Sequence, residues 1–372
     1  MKLSNFDFEL PERLIALHPA LPRDTARLMV IDRITGEIGD SHFYDLPDFL
    51  KPGDFLVFNK SKVIPARLFG KAGDKDIEVL LTSPCHSEPT GESMQKNPGF
   101  RIPACRTGRK SGMATNIWQA KAKPGKRLKI SSEIRFSDRL SAEVKAEKEG
   151  IFLLRFNLRG GDFWREIERI GEMPLPPYIL KARRERHGES IDKSDYQTVF
   201  ADKPGSVAAP TAGFHFTNEL LEKIKAKGCE IGFVDLHVGL GTFEPIRAEN
   251  IEDHKIHSEY FELSQDLAAK LNKAKKEGRH IIAVGTTTVR VLESCQKNGI
   301  LKPQSGETSI YIYPGYKFGF VDGMITNFHL PKSSLLLLVS AFYSKDKTIE
   351  AYKRAIKSNY RFYSYGDGML IS

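Results

Sequence analysis

The feature that most limits how this chain folds is a change of texture between Phe58 and Asp162. On either side, apolar positions recur at helical spacing or run as short strands. Inside it there are only short β-like pieces: Ile77 to Leu81, Leu128 to Ile130, Leu140 to Val144 and Ile151 to Phe156. Each is bounded by Gly, Pro or charged turns, which reads as a small all-β domain. A chain of 372 residues is long enough for one large domain plus such a smaller one. Within the β-like part, Ser83 to Thr115 is polar, rich in Gly, Pro and Ser, and has almost no periodicity. It reads as a long loop. Cys85, His86 and Cys105 sit there and form a thin zinc pattern.

Outside that stretch, local signals place strands and helices. PERLIALHP reads as one or two helical turns closed by Pro19, and Leu28 to Asp32 as a strand. Pro52-Gly53 is a turn, followed by a strand over Phe55 to Phe58. Thr217 caps a helix bearing Leu220, Leu221 and Ile224, which Gly228 ends. Ser264 caps another with Leu267, Leu271 and Ala274, ending at Gly278. Ile310 to Tyr313 alternates as a strand, and Ser333 caps a short apolar helix. The strand Ile281 to Val284 runs into Gly285-Thr286-Thr287-Thr288 and a helix carrying Arg290. Strand, glycine turn and helix N-terminus together suit an anion or ligand, because free backbone N–H groups point outward. The G-x-G-x-x-G and P-loop patterns are absent, so neither a Rossmann dinucleotide site nor an NTPase is supported. Arg290 has a second reading, an ion pair with Glu293 one turn on.

The richest stretch for chemistry is Gly205 to Pro245, where small residues cluster beside His215, Asp235, His237 and Glu244. Ile231 to Val238 reads as a strand, so Ile231, Phe233, Asp235 and His237 share one face. A carboxylate and an imidazole near a strand end, before a Gly-rich turn, fit acid–base work. Asp235 as a loop cap and His237 as a satisfied structural histidine fit the same spacing. His254 and His257 are three apart, but their segment reads as extended, which points them to opposite faces and away from a shared metal.

Lys and Arg number 56 against 47 acids, an excess of +9 that suits an anionic partner such as nucleic acid without demanding one. The run Lys181 to His187 reads as a solvated basic face or, beside Tyr178 and Tyr196, as a track for a nucleic-acid backbone. Arg23 and Arg27 read as phosphate ligands or as ties to a carboxylate such as Asp24. Four scattered cysteines fit a reducing cytosol rather than a disulfide framework. The N-terminus carries no signal-peptide core, and the longest apolar run, Leu335 to Phe342, is too short to span a bilayer.

Nine stretches, taken in order, resemble one family. They are PRDTARLMVID, FNKSKVIPARLFG, GEMPLPPYI, YQTVFADKPGSVAAPTAGFHFT, VDLHVGLGTFEPI, HSEYFEL, VGTTTVRVLES, TNFHLPKSSLLLLVSAF and YRFYSYGDGMLI. The family is that of the S-adenosylmethionine:tRNA ribosyltransferase-isomerases, bacterial enzymes of queuosine synthesis, and the resemblance covers essentially the whole chain. Ser83 to Thr115 looks like an insertion relative to the family's compact small domain. Gly368 stands where an alanine is usual, a change expected to be harmless.

The resemblance implies an α/β fold: a large α/β barrel-like domain with a small all-β domain, a six-stranded barrel, inserted in it. Residues 1–60 and 152–372 would form the first and 61–151 the second, with the long loop at about 83–115. It implies transfer and isomerisation of the ribosyl part of S-adenosylmethionine onto 7-aminomethyl-7-deazaguanine at a tRNA wobble position. Epoxyqueuosine-tRNA forms, and adenine and methionine leave. On this reading His215, Asp235, His237 and Glu244 supply the acid–base groups, undivided as to role. Thr286, Thr287 and Arg290 hold the methionine carboxylate or ribose hydroxyls, and Asn327, His329 and Asp367 contact the base or the adenine. Arg23, Arg27, Lys60, Arg67, Arg183, Arg184 and Arg186 meet tRNA phosphates. S-adenosylmethionine is a co-substrate, with no permanently bound cofactor and no metal expected. The partner is a tRNA with a modified wobble base, not a membrane, and the protein is expected to be a cytoplasmic monomer. Two rival readings are a tRNA-binding protein without catalysis and an S-adenosylmethionine-dependent methyltransferase.

Overall fold

The structure, a computed structural model, describes residues 1–85, 116–176, 178–179, 194–239 and 246–372. The chain divides into two compact units. One comprises Met1–Ser61, Pro177–Lys203 and Ala209–Ser372; the other comprises Lys62–Pro176 and Pro204–Ala208.

The larger unit begins with strands β1 (Arg27–Ile31), β2 (Ile38–His42) and β3 (Phe55–Asn59). The chain then enters the smaller unit through β4 (Arg67–Ala72), β5 (Lys75–Cys85), β6 (Ile117–Lys123), β7 (Glu133–Arg135), β8 (Ser141–Lys148) and β9 (Ile151–Phe156). These six close into a barrel in the order β9-β6-β5-β4-β7-β8. The last strand, β9, bonds to β6 on one side and β8 on the other, so closure needs residues 151–156. The barrel therefore continues past the end expected at 151, and a helix over Gly160–Ile170 follows within the same unit. Leu128 to Ile130, expected to be a strand, is not one. Lys129 and Ser132 bond to each other across a turn, with Ser131 at φ 68°, and the strand starts only at Glu133.

Back in the larger unit come β10 (Glu230–Leu236), β11 (Glu259–Leu263), β12 (Ile281–Val284), β13 (Gln304–Thr308), β14 (Gly323–Asn327) and β15 (Gly368–Ile371). Among the described residues they join β1–β3 in a nine-stranded mixed sheet, ordered β13-β11-β10-β3-β12-β14-β15-β1-β2. β10, β3, β12 and β14 are mutually parallel neighbours. β3, β12 and β14 are buried at every position, as strands covered on both faces must be. That is why their sequences run apolar without alternating.

The helix signals lie where the sequence puts them. Thr217 Oγ1 accepts from Leu220 N–H (3.1 Å), Ser264 Oγ from Leu267 N–H (3.3 Å) and Ser333 Oγ from Leu336 N–H (3.2 Å). Each satisfies a donor that a helix start otherwise leaves unpaired. The N-terminal PERLIALHP holds a single 3-10 turn, Glu12–Leu14. Ile310 to Tyr313 is not a strand. The strand lies earlier, at β13, where Thr308 Oγ1 accepts from Ile310 N–H at 3.1 Å and turns the chain away from its partner β11.

Candidate active site

In an open α/β sheet, ligands gather beyond the C-terminal ends of parallel strands. Here those ends belong to β3, β10, β12 and β14. They carry Lys60, then Asp235 and His237, then Thr286 and Thr287, then Asn327 and His329. Residues scattered over 270 positions of sequence therefore meet one edge of one sheet, and three polar groupings form there.

The first lies at the end of β10. Asp235 is buried, and its Oδ2 lies 3.2 Å from Nζ of Lys203. Its Oδ1 is buried with no hydrogen-bond partner. Burial pushes the Asp235 carboxyl above the usual carboxylate range, with Lys203 opposing it. Lys203 also reaches Oε2 of Glu262 on β11, at 3.0 Å. Burial would lower this ammonium, but Glu262 and Asp235 together raise it. His237 follows two residues after Asp235. Burial, helped by Lys203, brings its imidazole down to about 4, so it is neutral near pH 7. Its ring lies 5.2 Å from that of Tyr260. Glu244, the fourth expected acid–base residue, lies outside the described residues.

The second grouping centres on His215, in a 3-10 turn over Thr211–His215. The Asn327 side chain at the end of β14 receives Thr211 Oγ1–H on its Oδ1 (3.1 Å). Its Nδ2 donates to the carbonyl of Tyr363 and to Nε2 of His215, each at 3.2 Å. With Oδ1 already accepting, Nδ2 must be the donor, so His215 Nε2 is an acceptor and the proton sits on Nδ1. Burial, with Arg361 and Arg23 nearby, lowers His215 to about 3. The imidazole stacks on Phe43, ring centroids 4.0 Å apart. A Cβ on Gly368 would lie 2.8 Å from Cζ of that same Phe43. In this chain an alanine at 368 would therefore press on the ring that stacks on His215.

Asp367 and His329 are occupied locally. Asp367 accepts from the backbone N–H of Arg27 (3.1 Å) and of Arg361 (2.8 Å), and from the Arg361 guanidinium. His329 Nε2 meets Thr326 Oγ1 at 3.0 Å, and burial brings its imidazole to about 3.

The third grouping surrounds the helix Thr286–Cys295. Its start needs Gly285 at φ 91°, a backbone that side chains rarely adopt. Thr287 Oγ1 is buried without a partner. Arg290 does not pair with Glu293. Glu293 instead accepts from the N–H groups of Gly319, Phe320 and Val321 and from Tyr316. Arg290 Nη1 donates to Oε2 of Glu259 on β11, whose Oε1 accepts from Gly239 N–H at 2.9 Å. That contact ties the segment after His237 to the helix.

The expected phosphate ligands are mostly engaged within the chain. Arg23 donates to the carbonyls of Gln197 (2.5 Å) and Ser194 (2.7 Å). Arg27 donates to Ser358 O at 2.7 Å and lies over the Tyr360 ring. Arg67, in the smaller unit, is held between Glu78 (2.8 Å) and Glu172 (2.9 Å). Lys60 pairs with the largely exposed Asp202 at 2.7 Å. Arg183, Arg184 and Arg186 lie outside the described residues, as do His86 and Cys105 of the zinc pattern. Sequence reasoning missed Lys203, Glu259 and Thr211. The run FADKPGSV does place Lys203 near the small-residue cluster, but nothing in it points to Asp235.

Comparison with known proteins adds the following. A sequence model of the family described as "Queuosine biosynthesis protein" matches residues 3–371. A protein of Halothermothrix orenii named S-adenosylmethionine:tRNA ribosyltransferase-isomerase is 48% identical over 377 residues, covering 100% of both chains. One of the same name from Desulfitobacterium hafniense is 46% identical over 376 residues, again covering 100% of each. The crystal structure of a Thermotoga maritima S-adenosylmethionine tRNA ribosyltransferase is 34% identical. It aligns with 99% of this chain and 100% of its own, with a TM-score of 0.53.

Proposed function

The chain belongs to the queuosine biosynthesis protein family, and from that premise we propose how its own residues carry out the family's reaction. The protein is an enzyme with the S-adenosylmethionine:tRNA ribosyltransferase-isomerase role in queuosine synthesis, and S-adenosylmethionine is its co-substrate. The ribosyl part of S-adenosylmethionine passes to the aminomethyl group of 7-aminomethyl-7-deazaguanine at the tRNA wobble position. It is isomerised to an epoxycyclopentanediol as adenine and methionine leave.

Carbon beside a sulfonium is acidic, so a base at the ribose C5 methylene starts the rearrangement by making an ylide. Asp235 is the group for this step. One observation carries the reading: its carboxyl is buried and shifted upward, with Oδ1 unengaged. A carboxylate tuned toward neutrality takes a proton and then holds it as an acid. Once protonated, Asp235 returns the proton to the departing adenine. Lys203 keeps the group ionised before the reaction. His237 and His215, neutral imidazoles, orient substrate by hydrogen bonds, and Glu244 completes the acid–base set. Thr286, Thr287 and Arg290 hold the methionine carboxylate or ribose hydroxyls. Asn327, His329 and Asp367 shape the wall that meets a base.

The wobble base must leave its stack for its aminomethyl group to be reached. Lys60 exchanges its exposed carboxylate partner for a phosphate, and Arg183, Arg184 and Arg186 meet further phosphates. Arg23, Arg27 and Arg67 act by holding the surrounding segments. The protein works as a monomer in the cytoplasm, where tRNA is found. No helix among the described residues is long and apolar enough to cross a membrane.

The test is incubation with S-adenosylmethionine and an anticodon stem-loop carrying the aminomethyl-deazaguanine. Adenine and methionine should appear together, with a mass gain on the RNA. Release of S-adenosylhomocysteine would identify a methyltransferase, and RNA binding without adenine a non-catalytic binder.

A further inference from the structure

Glu262 on β11 lies directly opposite Asp235 on β10 in the antiparallel register of the two strands. Residues paired in this way put their side chains on one face, with Cβ atoms about 5 Å apart. Lys203 Nζ joins them, 3.2 Å from Asp235 Oδ2 and 3.0 Å from Glu262 Oε2. Each carboxylate gives one oxygen to the same ammonium and keeps the other. Asp235 Oδ1 is unpartnered in a side chain only 6% exposed. Buried acceptors of this kind are costly, and proteins seldom retain them without a donor to come. The Glu262 side chain is 39% exposed, so a ligand reaches it, and Lys203 engages it only through Oε2.

Charge narrows the ligand. With both carboxyls ionised, Asp235, Glu262 and Lys203 sum to one negative charge. Their neighbours add none: His237 is neutral, burial keeps the Tyr260 phenol from ionising, and Ser305 faces Glu262 from β13. The cluster therefore suits one further cation. The reaction brings two, a sulfonium and the aminomethyl group of the wobble base. An alkylammonium like that of lysine titrates near about 10.4, so it is protonated at neutral pH. It offers three N–H donors, whereas a sulfonium offers none and would leave Glu262 Oε1 unbonded. The amine must also lie next to the ribose whose C5 methylene Asp235 serves. A carboxylate one strand over from Asp235 is in place for it.

We propose that Glu262 is the residue that selects the aminomethyl group of the wobble base. Its Oε1 accepts from the substrate ammonium while Lys203 fixes the carboxylate through Oε2. The inference rests on the reaction reading above, in which Asp235 acts at the ribose. It adds the group that tells an aminomethyl base from one without an amine.

The test compares two anticodon stem-loops, carrying 7-aminomethyl- or 7-methyl-7-deazaguanine at the wobble position. Binding to the full-length protein is read by fluorescence anisotropy at pH 7, without S-adenosylmethionine. The wild type should prefer the amine about tenfold. E262Q keeps an oxygen for Lys203 and removes only the charge. It should lose the preference and raise the KM for the aminomethyl stem-loop about tenfold, with kcat changed far less. Equal binding of the two stem-loops by the wild type overturns the proposal, whether or not E262Q folds. An intact preference in E262Q overturns it too, and weaker binding of S-adenosylmethionine alone would then give Glu262 to the sulfonium. A wild type that prefers the amine yet releases no adenine would sink the reaction reading alone, because the binding comparison needs no turnover.

Discussion

Lys203 Nζ lies 3.2 Å from Asp235 Oδ2 and leaves the opposite oxygen, Oδ1, buried and unpartnered. The Lys203 ammonium, helped by that of Lys60, opposes a further upward shift of this carboxyl. In K203M, burial acts on Asp235 with only Lys60 opposing it, and the acidic limb of the kcat/KM profile for adenine release should move to higher pH. K203R keeps the charge and should return the limb most of the way. An unmoved limb in K203M would show that Lys203 does not tune this group.

Replacing the carboxyl itself separates base from scaffold. D235N keeps the shape and removes a buried charge, so it should fold while adenine release falls about 100-fold or more. H237A should cost less, since a neutral imidazole with a pKa of about 4 contributes hydrogen bonds rather than charge. Full adenine release by H237A would take His237 out of the site.

The buried imidazoles make stability depend on pH. His215 and His329 titrate at about 3 in the folded chain, against about 6.5 when unfolded. The unfolded chain therefore binds protons that the folded one refuses. Their contribution is whole above about pH 6.5 and is lost as pH falls toward 3. The loss is at most about 1.4 kcal/mol per pH unit for each histidine. Thermal melts between pH 4 and 7.5 should show this slope, and H329Q should flatten it. An equally steep slope in H329Q would mean that His329 is not one of its sources.

Gly368 keeps room for the Phe43 ring that stacks on His215. G368A should lower Tm, consistent with a cost of about 1–3 kcal/mol for overpacking. It should also shift the His215 ring resonances in NMR spectra. Unchanged resonances would show that Phe43 does not transmit the strain.

Docking of RNA through phosphates predicts a strong salt dependence. Affinity for the anticodon stem-loop should fall steeply between roughly 50 and 200 mM salt, and K60A should make the slope shallower. A flat salt response in the wild type would exclude phosphate-led docking.

The sequence carried much that depends on neighbours a few positions apart, though it offered strands at 128–130 and 310–313 where the chain forms none. Thr217, Ser264 and Ser333 cap helices because a hydroxyl reaches an N–H three residues on. Gly285 opens its helix because only a glycine readily takes that backbone turn. Turn-bounded short strands announced a small all-β domain, although its last strand ran beyond the boundary expected at 151. Tertiary structure decided the partners. Spacing offered Glu293 to Arg290, yet strand order brought Glu259, 31 residues away, into its reach. Lys203 meets Asp235 and Glu262 because their strands pair, and Asn327 meets His215 across 112 residues. Capping and periodicity are local energies that each segment carries with it. Which charge lies buried beside which is settled only when the sheet orders its strands, because burial and low dielectric exist in the assembled fold alone.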